Sequence, residues 1–178
     1  MSKKSLPLAE VYRLLEPGPV VMVTTARKGV PNIMTMSWHT MMEFTPPLVG
    51  CVISGRNYSF DALVKTRQCV LNIPDAALAK QVVGVGNCHG PKVDKFKKFR
   101  LTPVPAAEVA PPLIAECYAN LECRVADTRM VNKYNFFVLE VVGAWLDAAV
   151  KAPRMLHHRG RGVFAVDGGT IRLPSRMA

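Results

Sequence analysis

The residues best equipped for chemistry lie in the run Ser54-Gly55-Arg56-Asn57-Tyr58-Ser59. It follows an apolar stretch, Leu48 to Ile53, and leads into a segment of helical character, Ser59 to Thr66. Gly55 lets the chain turn sharply, and Asn57 or Ser59 can cap the helix that follows. A helix start presents free N–H groups and a partial positive charge, and Arg56 adds a planar cationic fork; these residue types in this order suit a phosphate. The same six residues would also make a plain capped loop with a solvated arginine, so spacing alone leaves both readings open. A second set is Thr35, Ser37 and His39, which alternate with Met34, Met36 and Trp38. On one strand the three polar groups share a face. They would either hydrogen-bond a planar heterocycle, with Trp38 against its edge or face, or form an ordinary wet surface.

Other constellations are weaker. Gly84-Val85-Gly86-Asn87-Cys88-His89-Gly90 resembles a dinucleotide loop, but its third glycine comes one residue late and it follows a helix-like stretch instead of a strand. A glycine-rich loop beside a ligand, or a helix stop, remains. No Walker A pattern and no Gly-x-Ser-x-Gly elbow occurs. Cys88-His89 and His157-His158 are adjacent pairs that cannot easily chelate one ion, and no metal site is expected. Cys117 and Cys123 fall on one face of a predicted strand, about 20 Å apart, and read as core thiols. No paired carboxylates stand where general acid–base catalysis would want them.

The elements that must position these residues follow from periodicity. Leu8, Val11, Tyr12 and Leu15 predict a helix over 6–15, stopped by Pro17-Gly18-Pro19. Val20 to Thr25 is a β-branched strand, Ala26-Arg27-Lys28-Gly29 a hairpin turn, and Asn32 to His39 the returning strand. Further strands are expected at Leu48–Ile53, Cys69–Ile73, 116–127 and Asn135–Trp145, the last apolar on both faces and therefore central. In 116–127 the odd positions Cys117, Ala119, Leu121, Cys123 and Val125 alternate with the even positions Glu116, Tyr118, Asn120, Glu122 and Arg124, which predicts one buried and one wet face. Helices are expected at Ser59–Thr66 and Ala76–Val83, with one more turn from Lys92 anchored by Phe96 and Phe99. A proline-rich connection, Thr102 to Pro112, crosses the surface. Strands joined as neighbours, without regular βαβ units, predict a mainly β fold: an antiparallel barrel with a few short helices.

Composition sets the frame. The chain has 178 residues, 49% hydrophobic and 20% charged, enough for one domain with a real core. No apolar run approaches the ~20 residues that span a bilayer. Five cysteines without a CxxC pair, behind an N-terminus lacking an apolar run after its lysines, predict reduced thiols and a cytoplasmic location. The net charge of +10 is concentrated: Lys92–Arg100 holds five bases and Asp94, and 151–178 holds six bases and Asp167. An anionic partner would be drawn there. Nucleic acid is disfavoured, because the basic stretches lack repeated aromatic interleaving and no helix-turn-helix, zinc-finger or RNP-like pattern occurs.

Several segments in order resemble one family. They are Pro31-Asn32-Ile33-Met34-Thr35-Met36-Ser37-Trp38-His39, Pro46-Pro47-Leu48-Val49-Gly50, the Ser54–Ser59 run, Val70-Leu71-Asn72-Ile73-Pro74, Val93-Asp94-Lys95-Phe96, and Ile114-Ala115-Glu116-Cys117-Tyr118-Ala119-Asn120-Leu121-Glu122-Cys123. Together, over about residues 10–150, they resemble the flavin reductase-like family, most closely its flavoredoxin branch. The resemblance implies an FMN-binding split β-barrel in 1–150, usually a homodimer with FMN near the interface. The remainder, 151–178, would be a basic C-terminal arm, flexible at its end or packed on the barrel or a partner subunit. Matching segment by segment, Thr35, Ser37 and Trp38 would lie along the flavin ring. Ser54, Arg56, Asn57 and Ser59 would surround the phosphate, with Tyr58 nearby. Asn87 and His89 would sit on a second FMN-contacting loop, and Lys95 would approach the flavin or its phosphate. The implied activity is electron transfer between NAD(P)H, FMN and a small-molecule or protein acceptor, with no protein catalytic group beyond the flavin N5. The alternatives are a non-catalytic FMN-binding module or a basic nucleic-acid-associated protein.

Overall fold

The computed structural model describes residues 3–11 and 18–174. Its main sheet contains β1 (Lys3–Ser5), β2 (Val21–Arg27), β3 (Val30–Met36), β4 (His39–Phe44), β5 (Pro47–Val52), β6 (Gln68–Ile73), β9 (Ala119–Asp127) and β10 (Phe136–Asp147). The order is β3-β2-β6-β9-β10-β5-β4, with β1 also on β10, and the pairs are antiparallel. Two strands consecutive in the chain, β3 and β4, stand at opposite ends of this order, joined only by Ser37-Trp38. The sheet must therefore curl until its ends meet, which makes a split barrel. At this seam the Val52 amide donates to the Trp38 carbonyl at 3.0 Å, which extends the β4–β5 ladder into the connection.

Val21, Val23, Val49, Cys51, Leu71, Leu121, Cys123, Phe137 and Leu139 fill the barrel. A second core lies outside it. There Met22 and Ile33 meet Val82 and Val85 of α2 (Ala79–Gly86) and Phe96 of α3 (Lys95–Phe99). The other helices are α1 (Tyr58–Thr66) and α4 (Val131–Tyr134). Short ladders pair β7 (Pro103–Val104) with β8 (Leu113–Ile114) and β11 (Leu156–His158) with β12 (Phe164–Val166).

The structure corrects several expectations. Residues 6–15 do not read as one helix: β1 precedes a single 3-10 turn at Leu8–Glu10, and Tyr12 and Leu15 lie outside the described residues. The strand expected at Asn32–His39 ends at Met36, and His39 opens β4 on the opposite edge. Helix α2 runs through Gly84 to Gly86; Gly84 serves packing, since a Cβ there would overlap the Phe99 ring. Strand β9 begins at Ala119, so Cys117 is off it and sits in the outer core, while Cys123 is in the barrel.

The wet face of that strand is not wet. Asn120 and Glu122 are both 0% exposed, because the proline-rich segment folds over them. The Glu122 carboxylate accepts from the amides of Ala107 (3.0 Å), Glu108 (2.6 Å) and Val109 (3.1 Å) and from the Trp145 indole (2.7 Å). The C-terminal arm is ordered at least as far as β12: Leu156 is buried in the outer core and its carbonyl accepts from the Val20 amide at 2.7 Å.

Candidate functional site

The site is built from an elbow, a strand and a loop. At the elbow, β5 ends and the Ile53 amide donates to the Asn135 carbonyl at 3.1 Å. The Asn57 amide then closes a turn onto the Ser54 carbonyl at 2.9 Å, and the Arg56 amide reaches Ser54 Oγ at 3.3 Å. Asn57 occupies the N-cap of α1, with φ −80° and ψ 134°, yet its side chain makes no capping bond. Ser59 does not cap either. It is buried, and its hydroxyl accepts from Asn32 Nδ2 at 2.9 Å and from Thr25 Oγ1 at 3.3 Å. The first N–H groups of the nine-residue helix α1 are thus left without a side-chain acceptor. Beside them stands Arg56, exposed, with no protein partner among the described residues. The Phe60 amide turns back to the Asn57 carbonyl at 3.0 Å, so the donors left without a protein acceptor among the described residues are the Arg56 guanidinium and the amides of Tyr58 and Ser59, a set that fits a phosphate.

The loop after α2 lies across β3. Gly90 presses so close to Asn32 Oδ1 and Tyr58 Cδ1 that an added Cβ would stand 2.8 Å from each. A cavity of about 400 Å³ opens there, lined in part by Asn32, Tyr58, Gly90, Lys92 and Asp94. Lys92, an exposed cation, joins the Tyr58 neighbourhood; its only sequence signal was membership of the basic run.

Further along β3 is a second cavity of about 300 Å³. Thr35, Ser37, Gly86 and Asn87 line one side of it, and His158 and Phe164 line it too. Thr35 Oγ1 donates to the Val82 carbonyl at 2.7 Å, which ties the strand to α2 and leaves the hydroxyl lone pairs as acceptors. The two cavities flank one strand: Asn32 is in the first and Thr35 in the second, three residues or about 10 Å on. The loop Asn87-Cys88-His89-Gly90 joins them on the other side, with Asn87 and His89 both exposed.

Of the sequence-selected residues, Thr35, Ser37, Tyr58 and Asn87 line the cavities, while Ser54, Arg56, Asn57, Ser59 and His89 line neither, and Trp38, His39 and Lys95 stand apart from both. Trp38 is 71% exposed and lines neither cavity. His39 is at the seam, where Nε2 meets the Pro19 carbonyl at 2.6 Å and the buried Nδ1 has no partner. Burial holds its pKa below the ordinary 6.5. Lys95 is buried beneath the groove, and its ammonium donates to the carbonyls of Ile33 (2.8 Å) and Val85 (2.9 Å). Desolvation lowers its pKa. Those two bonds tie β3 to the end of α2 and leave one of three donor positions. Sequence reasoning missed His158 and Phe164, which arrive on strands of three residues each, too short to leave a periodic signal.

Comparison with known proteins agrees with this architecture. The reductase component of 4-nitrophenol 4-monooxygenase/4-nitrocatechol 2-monooxygenase from Rhodococcus opacus is 32% identical over 149 residues, 80% of this chain and 71% of that one. An uncharacterized protein of Archaeoglobus fulgidus is 35% identical over 112 residues, and the chain spans only 63% of its length. The crystal structure of an FMN-binding domain of a flavin reductases-like enzyme from Shewanella baltica OS155 superposes with a TM-score of 0.91 at 26% identity, covering 97% of this chain and 98% of that one. Flavoredoxin of Desulfovibrio vulgaris (Miyazaki F) shares the fold, with a TM-score of 0.79 at 20% identity over 88% of this chain and 90% of its own. The family model for the flavin reductase like domain matches residues 13–165, nearly the whole chain, and the protein belongs to that family.

Proposed function

We propose that this protein binds FMN along β3 and passes electrons from NAD(P)H through it to a small-molecule or protein acceptor. The observation that carries the reading is the elbow: a helix start without a side-chain cap and an Arg56 guanidinium without a protein partner among the described residues, next to Tyr58 of the first cavity, with Thr35, Ser37 and Asn87 lining the second cavity farther along β3. Arg56, Asn57 and the first α1 amides hold the phosphate, with Ser54 shaping the turn and Tyr58 and Ser59 flooring it. Thr35, Ser37 and Asn87 present polar groups to the ring edge, and His89 lies on the loop between. When bound, the flavin supplies hydride acceptance at N5, and the protein's part is orientation and electrostatics. Lys95 contributes its charge from below the groove, favouring an anionic ring edge.

The active unit is a homodimer in the cytoplasm. Supporting this, β4 is an open sheet edge carrying exposed Met42, and Trp38 stands exposed at the adjoining seam, an apolar strip suited to a second copy. All five cysteines are free, as a reducing compartment would keep them. The direct test is the visible spectrum of the purified protein with FMN, repeated under nitrogen after NAD(P)H is added. A bound-flavin band that bleaches with NAD(P)H is expected. A protein that neither perturbs the FMN spectrum nor quenches its fluorescence contradicts the reading, and one that binds FMN without bleaching reduces it to flavin binding alone.

A further inference from the structure

The groove has a second cationic feature that FMN does not need. The β11–β12 hairpin is held to the barrel by the Leu156 contact and by an internal pair in which His157 Nε2 meets Asp167 Oδ1 at 2.8 Å, with Asp167 Oδ2 also accepting from the Met155 amide at 3.2 Å. His158 and Gly162 both line the ring-end cavity, and the hairpin tip between them, Arg159-Gly160-Arg161, lies next to that lining without being part of it. The tip turns back tightly. Gly160, Arg161 and Gly162 all have positive φ (88°, 49° and 75°), the Arg159 amide donates to the Val163 carbonyl at 2.8 Å, and the Val163 amide donates to the Gly160 carbonyl at 2.9 Å. Both guanidiniums are exposed, and neither has a protein partner among the described residues. The hairpin's own carboxylate, Asp167, is already engaged with His157.

Two unpaired arginines next to the lining of a cavity call for an anion. The phosphate of FMN is assigned to the Arg56 elbow at the far end of the groove. The remaining anion belongs to the other substrate. A pyridine dinucleotide carries its pyrophosphate one ribose away from the nicotinamide, so a nicotinamide directed into the ring-end cavity leaves the pyrophosphate at the hairpin tip. We propose that Arg159 and Arg161 grip the pyrophosphate of the pyridine dinucleotide, and that the His158–Phe164 ring pair, 5.1 Å between centroids, walls the cavity into which its nicotinamide points. This rests on the flavin reading above.

The test is a calorimetric titration with ADP-ribose, which carries the pyrophosphate but no nicotinamide, alongside a separate FMN titration. It is run on the wild type, on Arg159→Ser/Arg161→Ser, and on the exposed control Arg172→Ser. A 2′-phosphorylated ADP-ribose arm separates a pyrophosphate contact, lost for both probes alike, from a 2′-phosphate contact, lost for that probe alone. The double variant is expected to bind ADP-ribose about ten-fold or more weakly, the scale of a lost charge-assisted bond, with FMN affinity and the control unchanged. Unchanged ADP-ribose affinity, loss confined to the 2′-phosphorylated probe, or equal loss of FMN and ADP-ribose overturns the proposal and leaves the flavin reading standing. A wild type that binds FMN but not ADP-ribose does the same. A wild type that binds no FMN overturns both.

Discussion

Glu122, inside β9, and Arg56, in the elbow after β5, are charged residues of the same barrel, yet their surroundings are opposite. Glu122 is fully buried, and its two oxygens take four donors, three from the backbone of the proline-rich segment and one from Trp145. Arg56 is exposed beside a helix start that no side chain caps. The first charge is saturated by the protein and serves to fasten one segment to the sheet. The second is left unsaturated, as a charge meant for a ligand must be. What separates a structural polar group from a binding group here is the hydrogen-bonding capacity that the fold leaves unused.

This contrast can be broken by mutation. Glu122→Ala strands four donors in a buried place and should cost about 3 kcal/mol or more of folding stability, read from urea unfolding, with FMN affinity unaltered in the protein that remains folded. An equal loss of FMN affinity would mean the two regions are not separable. Arg56→Ala should behave in reverse. It weakens FMN binding by about 1–3 kcal/mol, read by fluorescence quenching, with little change in the unfolding midpoint. Unchanged affinity would take Arg56 out of the phosphate site. Trp145→Phe removes only one of the four Glu122 donors and should cost about 1 kcal/mol of stability. The smallest effect concerns His39. Its folded-state pKa lies below 6.5, so below pH 6.5 the unfolded chain takes up a proton that the folded chain does not. Stability should decline as pH falls through that window and be level just above it, and His39→Asn should flatten the decline. An unchanged pH profile in the variant would assign the decline to other groups.

How much of this was legible in the sequence depended on how local each cause is. The apolar strands β5, β6 and β10 were readable because burial, complete along most of β6 and on one face of β10, writes itself into local composition, and the antiparallel barrel followed from their order. The elbow at Ser54 was readable because a glycine, an arginine and a helix start act within six residues. The break at Ser37-Trp38 was not, since the period-two pattern of β3 runs straight through it and only the closure of the sheet reveals the crossing. Nor could the sequence show that Asn120 and Glu122 are buried: the Glu122 carboxylate is answered by backbone amides of Ala107, Glu108 and Val109, more than ten residues back, and the Asn120 amide group donates to the Ile114 carbonyl and to Asn72 on the neighbouring strand. Strand β4 was missed because an edge strand with mostly exposed residues carries no clean alternation. Lys95 looked like a ligand contact by its place in a motif, while its ammonium is shared between two carbonyls of the scaffold.

The central claim, that the elbow grips the phosphate of FMN, is tested most directly by comparing FMN with riboflavin, which lacks that phosphate. Both are titrated into the wild type and into Arg56→Ala. The wild type should prefer FMN by about ten-fold or more, and the preference should shrink in the variant while riboflavin affinity hardly moves. Equal affinity of the wild type for the two flavins, or a preference that survives loss of Arg56 in full, would contradict it.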